Sequence, residues 1–198
     1  MLKQELLEKF RKKGFPEKVI SAFSEVRRED FVPEHLVPYA YDDIPVPVDD
    51  GSTISQPSTL ALMLELLDVN EGQVILEIGS GSGYALALLS SMVKKGSIFG
   101  LEINKRLAII SKKRLSNDKN IHIINKDGSK GLPSLAPFDR ILISASCPEK
   151  PYHLIGQLME GGIIVAAVAD TIVCIKKVGG VMEEKVLPGY AFVPLRKS

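Results

Sequence analysis

The sequence predicts an α/β protein: a mostly parallel, doubly wound sheet with an antiparallel C-terminal edge, preceded by N-terminal helices. Three observations lead there. From Leu60 onward, short apolar runs alternate with segments of helical period. The first of those runs, Val74–Ile78, ends in a cluster of glycines, as a buried strand does when it turns into a helix. After Val168 the helical pattern stops, and only strand-like segments remain.

The elements follow in order. Leu2, Leu6, Leu7 and Phe10 fall at helical spacing, Gly14 ends that helix, and Pro16 suits the first turn of the next. Val19, Ile20, Phe23 and Val26 make the second apolar stripe. Between Phe31 and Pro57 the prolines at 33, 38, 45, 47 and 57 forbid long regular elements. Such a long irregular stretch inside a compact domain is often functional. Leu60–Leu67 reads as an apolar helix. Strands are then expected at Val74–Ile78, Ser97–Leu101, Ile121–Ile124, Asp139–Ser144 and Ile163–Val168. The helices between them are expected at Tyr84–Val93, Lys105–Ser116 and Tyr152–Met159, the last stopped by Gly161 and Gly162. Thr171–Val178, the Gly179–Gly180 turn and Val181–Val186 read as a hairpin, and Tyr190–Leu195 as a last strand.

A length of 198 residues favours one domain, residues 1–59 forming a cover and residues 60–198 the core. A formal charge of +1 gives no push toward nucleic acid or a membrane. The basic runs Lys9, Arg11, Lys12, Lys13 and Lys112, Lys113, Arg114 read as solvated helix faces. Cys147 and Cys174 lie in apolar stretches and read as buried free thiols. His35, His122 and His153 have no metal-ligand spacing, so no metal is expected. The charged N-terminus has no signal-peptide core, and no run approaches the ~18 apolar residues of a membrane span. The expectation is a cytosolic protein; its oligomeric state is not legible.

The strongest local signal is Glu77-Ile78-Gly79-Ser80-Gly81-Ser82-Gly83-Tyr84. Glycines between a strand and a helix permit a tight turn and close approach of a ligand to the backbone. The next strand ends at Glu102, roughly twenty residues on, where a carboxylate can accept from both hydroxyls of a ribose. The third runs into Asp127-Gly128. A dinucleotide fingerprint needs glycine where Tyr84 stands, which disfavours a nicotinamide oxidoreductase. The loop lacks the Gly-Lys-Ser/Thr ending of a nucleoside triphosphate site, which disfavours such a ligand. The loop resembles motif I of the class I methyltransferases, and Glu77, Glu102 and Asp127 match that superfamily's acidic positions.

A second set of strings narrows the resemblance. Arg28-Glu-Asp-Phe31-Val32-Pro33, Ala40-Tyr41-Asp42-Asp43-Ile44-Pro45-Val46-Pro47 and Thr53-Ile54-Ser55-Gln56-Pro57 are similar to the protein-L-isoaspartate O-methyltransferases. So are Ala136-Pro137-Phe138-Asp139, Gln157-Leu158 with Gly161-Gly162, and Phe192-Val193-Pro194-Leu195. The resemblance implies a Rossmann-like class I methyltransferase that uses S-adenosyl-L-methionine and releases S-adenosyl-L-homocysteine. Its acceptor would be the free carboxylate of an L-isoaspartyl residue in damaged peptides and proteins, a repair reaction. It implies a cofactor shell of Glu77, Gly79, Ser80, Gly81, Ser82, Gly83, Tyr84, Glu102, Ile103, Asp127 and Gly128. Within that shell, Glu102 would take the ribose and Asp127 the adenine. Ser55 and Thr53 would grip the acceptor.

Departures keep a different acceptor open. The family's Pro-Val-Gly is replaced by Ala166-Ala167-Val168-Ala169-Asp170, the glycine- and glutamine-rich loop that follows it is missing, and the chain runs three residues past Leu195. A non-catalytic S-adenosylmethionine-binding protein is a further alternative, though it would have no use for the Thr53–Pro57 string.

Overall fold

The computed structural model describes residues 1–49 and 51–195, Asp49 by its backbone only. Its centre is a seven-stranded sheet of order β5-β4-β3-β6-β7-β8-β9. β3 (Val74–Ile78), β4 (Ser97–Glu102), β5 (Ile121–Asn125), β6 (Phe138–Cys147) and β7 (Leu158–Val168) run parallel. Two antiparallel strands, β8 (Thr171–Val178) and β9 (Val181–Pro188), extend one side. The chain winds outward from β3 to β5, then crosses back to place β6 on the other side of β3. That reversal is the switch point at which open α/β sheets bind ligands.

The apolar runs become strands because both faces are covered. Ile75, Leu76 and Ile78 of β3 are all buried, as a central parallel strand requires. One face packs α3 (Pro57–Leu67) and α4 (Tyr84–Met92) through Leu60, Leu64, Leu86 and Leu89, with α1 (Lys3–Lys12) and α2 (Glu17–Glu25) layered outside. Ala108 of α5 (Lys105–Arg114) joins the same core. The other face, built on Leu76, Ile78, Ile141 and Ile143, lies under Leu132 and Leu154.

That second layer corrects the helix expected at Tyr152–Met159. Tyr152–Gln157 is a 3₁₀ turn, and the strand starts at Leu158, which pairs with Phe138. Gly156 weakens a helix interior, and the Leu158 pairing claims the residues that would have formed its last turn. Tyr190–Leu195 is not a strand either. It is a strap held to the sheet at one bridge, Ser146 with Pro194.

The proline-rich segment holds more structure than its composition suggests. It contains 3₁₀ turns at Arg28–Phe31 and Glu34–Tyr39, then a hairpin of β1 (Val46–Asp49) and β2 (Ser52–Ile54). α3 begins at Pro57, not Leu60. Proline suits a first turn, and Asp43 accepts the Ser58 N–H at 2.8 Å and the Lys9 ammonium at 2.7 Å. One carboxylate thus caps α3 and ties α1 to it. Rings continue the link: Phe10 meets Phe23 at 5.0 Å, and both Phe23 and Phe31 meet Tyr84. Lys112 and Lys113 are exposed as expected, but Arg114 lies over the Phe31 ring and donates to the Ser82 carbonyl. Cys147 is buried, whereas Cys174 is only half-buried.

Candidate active site

A cleft opens at the switch point, where open α/β sheets bind their ligands. Its floor is the glycine loop after β3. Gly79 and Ser80 donate to the Leu101 carbonyl at 2.9 and 3.1 Å, and Gly83 donates to Ser80. Two glycines have separate reasons to be glycine. Gly83, at φ +88°, would drive a Cβ to 2.8 Å from Leu115, so it brings α4 down onto α5. Gly81, at φ +53°, has nothing within 4 Å of its Cβ position; its open side borders the cleft.

Two carboxylates back the loop. Glu102, at the end of β4, accepts the Gly81 N–H at 2.7 Å on one oxygen and the Asn104 N–H at 2.8 Å on the other. Each oxygen keeps a lone pair for another donor. Glu77, at the end of β3, is 1% exposed. Its Oε1 accepts the Ser144 hydroxyl at 2.6 Å, and its Oε2 has no hydrogen-bond partner among the described residues. Burial lifts the Glu77 carboxyl to about 8, the Ser144 bond opposes this, and Glu102 adds to it.

Across the cleft stand Gly51, Ser52, Thr53, Ile54 and Ser55 of the β1–β2 hairpin and the residue after it. Thr53 and Ser55 also border a small side chamber with Gln56, Thr59 and Ser144. The strap closes the rim. Val193, Pro194 and Leu195 line the cleft, anchored by bonds of 2.8 Å between Ser146 and the backbone of Val193 and Leu195. No lysine, arginine or histidine lines it among the described residues.

Most of the expected shell is therefore assembled in one place: Thr53, Ser55, Glu77, Gly79, Ser80, Gly81, Ser82, Tyr84, Glu102 and Ile103 border the cleft. Tyr84 does so from a buried position, its ring serving as a prop for the cover. Gly83 shapes the loop from behind. Asp127 and Gly128 follow β5 at the same edge of the sheet but are not among the residues lining the cleft. Asp127 accepts the Ser129 N–H at 2.8 Å, and Gly128 borders a separate small cavity beside Cys147 and His153. Sequence reasoning missed Ser144 and the strap's role. Ser144 closes a predicted strand, and a hydroxyl at the carboxyl end of a strand beside the switch point was the available signal.

A cleft at the switch point of a doubly wound sheet, floored by a GxGxG loop and backed by two buried carboxylates, has the build of a class I S-adenosylmethionine-dependent methyltransferase. A family model described as Protein-L-isoaspartate(D-aspartate) O-methyltransferase matches residues 1–198, and the chain belongs to that family. A protein-L-isoaspartate O-methyltransferase of Korarchaeum cryptofilum is 40% identical over 197 residues, covering 91% of this chain and 89% of its own. A solved Plasmodium falciparum member, in complex with S-adenosyl-L-homocysteine, superposes with a TM-score of 0.85 at 28% identity, covering 98% of both chains. Another solved protein-L-isoaspartate O-methyltransferase superposes with a TM-score of 0.89 at 28% identity; 99% of this chain covers 66% of that longer one.

Proposed function

We propose that the protein transfers a methyl group from S-adenosyl-L-methionine to the free carboxylate of L-isoaspartyl residues in peptides and proteins. The carrying observation is a single cleft that sets the glycine loop opposite Thr53 and Ser55, with two acids and no base among its described lining residues. The residues present fit the cofactor. Glu77 leaves a buried oxygen unpartnered there, and Gly81 leaves open space above the loop. When bound, S-adenosyl-L-methionine supplies an activated methyl on a sulfonium. Glu102 would accept from the ribose hydroxyls, and Asp127 with Gly128 would flank the adenine.

The acceptor side follows from charge. A carboxylate with an ordinary pKa near ~4 is already ionised at neutral pH and needs no general base. An arginine or lysine gripping it would hold back its lone pairs. Hydroxyls hold it without pairing its charge, and Thr53 and Ser55 supply them. Their task is to keep the oxygen in line with the methyl carbon, which is positioning work. Cys147 and Cys174 are not joined in a disulfide, which suits the cytoplasm, where we place the activity.

Methyl transfer to an isoaspartyl peptide, and none to its normal aspartyl twin, is the test. Transfer to neither, with cofactor still bound, would leave the fold and remove the acceptor. Ser55→Ala should cost about 1.5–3 kcal/mol in transition-state stabilisation, on the order of ten- to a hundredfold in rate, with little change in cofactor affinity.

A different acceptor finds less support than the sequence departure suggested. Ala166 and Ala167 are buried inside β7, and Ala169 with Asp170 makes a tight turn into β8. The Asp170 carbonyl then accepts the Gly189 and Tyr190 N–H groups, which starts the strap toward the cleft.

A further inference from the structure

Arg28 is fully buried, yet no carboxylate lies within ion-pair distance of it among the described residues. Burial pulls its pKa down; the Tyr84 phenol opposes this most, and Asp43, already engaged by Lys9 and Ser58, opposes it less. A buried cation without a partner anion is costly, by several kcal/mol in real proteins. Its contacts explain what the guanidinium does there. Nε donates to the Ala40 carbonyl at 2.7 Å, and Nη2 donates to the Ser55 carbonyl at 2.9 Å. The guanidinium carbon lies 5.0 Å from the centre of the Tyr84 ring. Nη1 and the Tyr84 hydroxyl have no hydrogen-bond partner among the described residues.

These three contacts belong to three different parts of the site. Ala40 ends the second 3₁₀ turn of the cover, Ser55 follows the hairpin, and Tyr84 is the first residue of α4 after the glycine loop. A planar fork of donors can hold two carbonyls at once and stack on a ring, which an ammonium cannot do. We propose that Arg28 is a positioning residue for the methyl transfer: it holds the Ser55 backbone at a fixed distance from the glycine loop. The inference rests on the reading of Ser55 as a grip on the acceptor. Arg28 does not line the cleft, so it acts only through the residues it holds. A displacement of ~1 Å at a reacting centre can cost on the order of a hundredfold in rate.

The test compares R28K, S55A and the double variant. The readouts are kcat on an isoaspartyl peptide per folded molecule, cofactor affinity by calorimetry, and melting temperature. R28K keeps the charge and loses the fork. It should lower kcat roughly ten- to a hundredfold and leave cofactor affinity within about threefold. In the S55A background it should lower kcat by less than about twofold, because the hydroxyl it positions is gone. Wild-type kcat in R28K, with only a lower melting temperature, would make Arg28 a stability residue and overturn the proposal. So would penalties that multiply in the double variant, or a loss of cofactor affinity as large as the loss of kcat. Full turnover by S55A alone overturns the acceptor reading instead, and this proposal with it. Should R28K yield no folded protein, R28Q, which needs no buried charge, is read against the same outcomes.

Discussion

Glu77 and Glu102 lie toward the ends of adjacent strands, offset by two residues in register, but their surroundings assign them different work. Each oxygen of Glu102 accepts a backbone N–H, so its carboxylate is oriented before any ligand arrives. Glu102→Ala removes that orientation and frees the Gly81 N–H. Cofactor affinity should fall about ten- to a hundredfold, with unchanged affinity in calorimetry counting against a ribose role. Glu77 has one hydroxyl for company and one oxygen with none. Its folded-state pKa of about 8 lies above its ordinary 4.5, so the folded protein binds the proton more tightly than the unfolded chain does. The stabilisation is fully present below pH 4.5 and is lost as the pH rises through about 8. Glu77→Gln carries no such titration. The ligand-free variant should melt with a flatter pH dependence across that window and gain most over the parent at its alkaline end. Parallel melting curves for the two proteins would place Glu77 outside the linkage.

At the scale of elements, local chemistry was legible and long-range chemistry was not. Val74–Ile78, Ser97–Leu101 and Ile121–Ile124 stood out because buried parallel strands read as apolar runs closed by turn residues. The glycine loop declared itself through its position between a strand and a helix. Asp43 capping a helix that starts at Pro57 could not be read, since the cap comes from outside the usual flanking positions. Nor could Arg28 joining Ala40, Ser55 and Tyr84. The Tyr152–Gln157 turn failed for another reason: helical spacing over six residues does not separate an α-helix from a 3₁₀ turn. Its Gln157 does explain part of the family resemblance, because its amide accepts the Leu132 N–H and donates to the Lys130 carbonyl. The turn between β7 and β8 carries a cost that can be removed. Ala169 sits at φ +50° as the first residue of a two-residue hairpin turn, where glycine is preferred. Left-handed backbone costs a non-glycine residue ~1–2 kcal/mol, and glycine gives back ~0.5–1 through the unfolded chain. Ala169→Gly should therefore raise stability by about 0.5–1 kcal/mol, read as a denaturation midpoint shifted upward at constant slope. An unchanged or lower midpoint would show that the methyl group earns its place by packing.

The whole molecule brings three remote segments to one switch point: the hairpin from the first third of the chain, the loop after β3, and the strap at residues 193–195. None of the lining residues that are described is cationic, and two are acids, so the cleft as a unit favours a ligand with positive charge. Glu77 couples that preference to pH. Facing it are Ser144 on β6, the backbone and hydroxyls of the glycine loop, and Glu102 on β4; the only charge among them is another carboxylate. Below about 8 the carboxyl holds a proton, and a cation entering the cleft favours its release. Binding that releases a proton strengthens as the pH rises, by at most about tenfold per unit, until the group is ionised without help. The stabilisation a ligand confers grows with its affinity. The rise in melting temperature given by a fixed concentration of S-adenosyl-L-methionine should therefore increase from neutral pH to about 8 and then level off. In Glu77→Gln the same rise should be smaller and independent of pH over that interval. Calorimetry at one pH in buffers of different ionisation enthalpy gives the proton count directly: close to one released at neutral pH in the parent protein and none in the variant. Equal proton release from both would move the coupling off Glu77 and onto another group in the cleft.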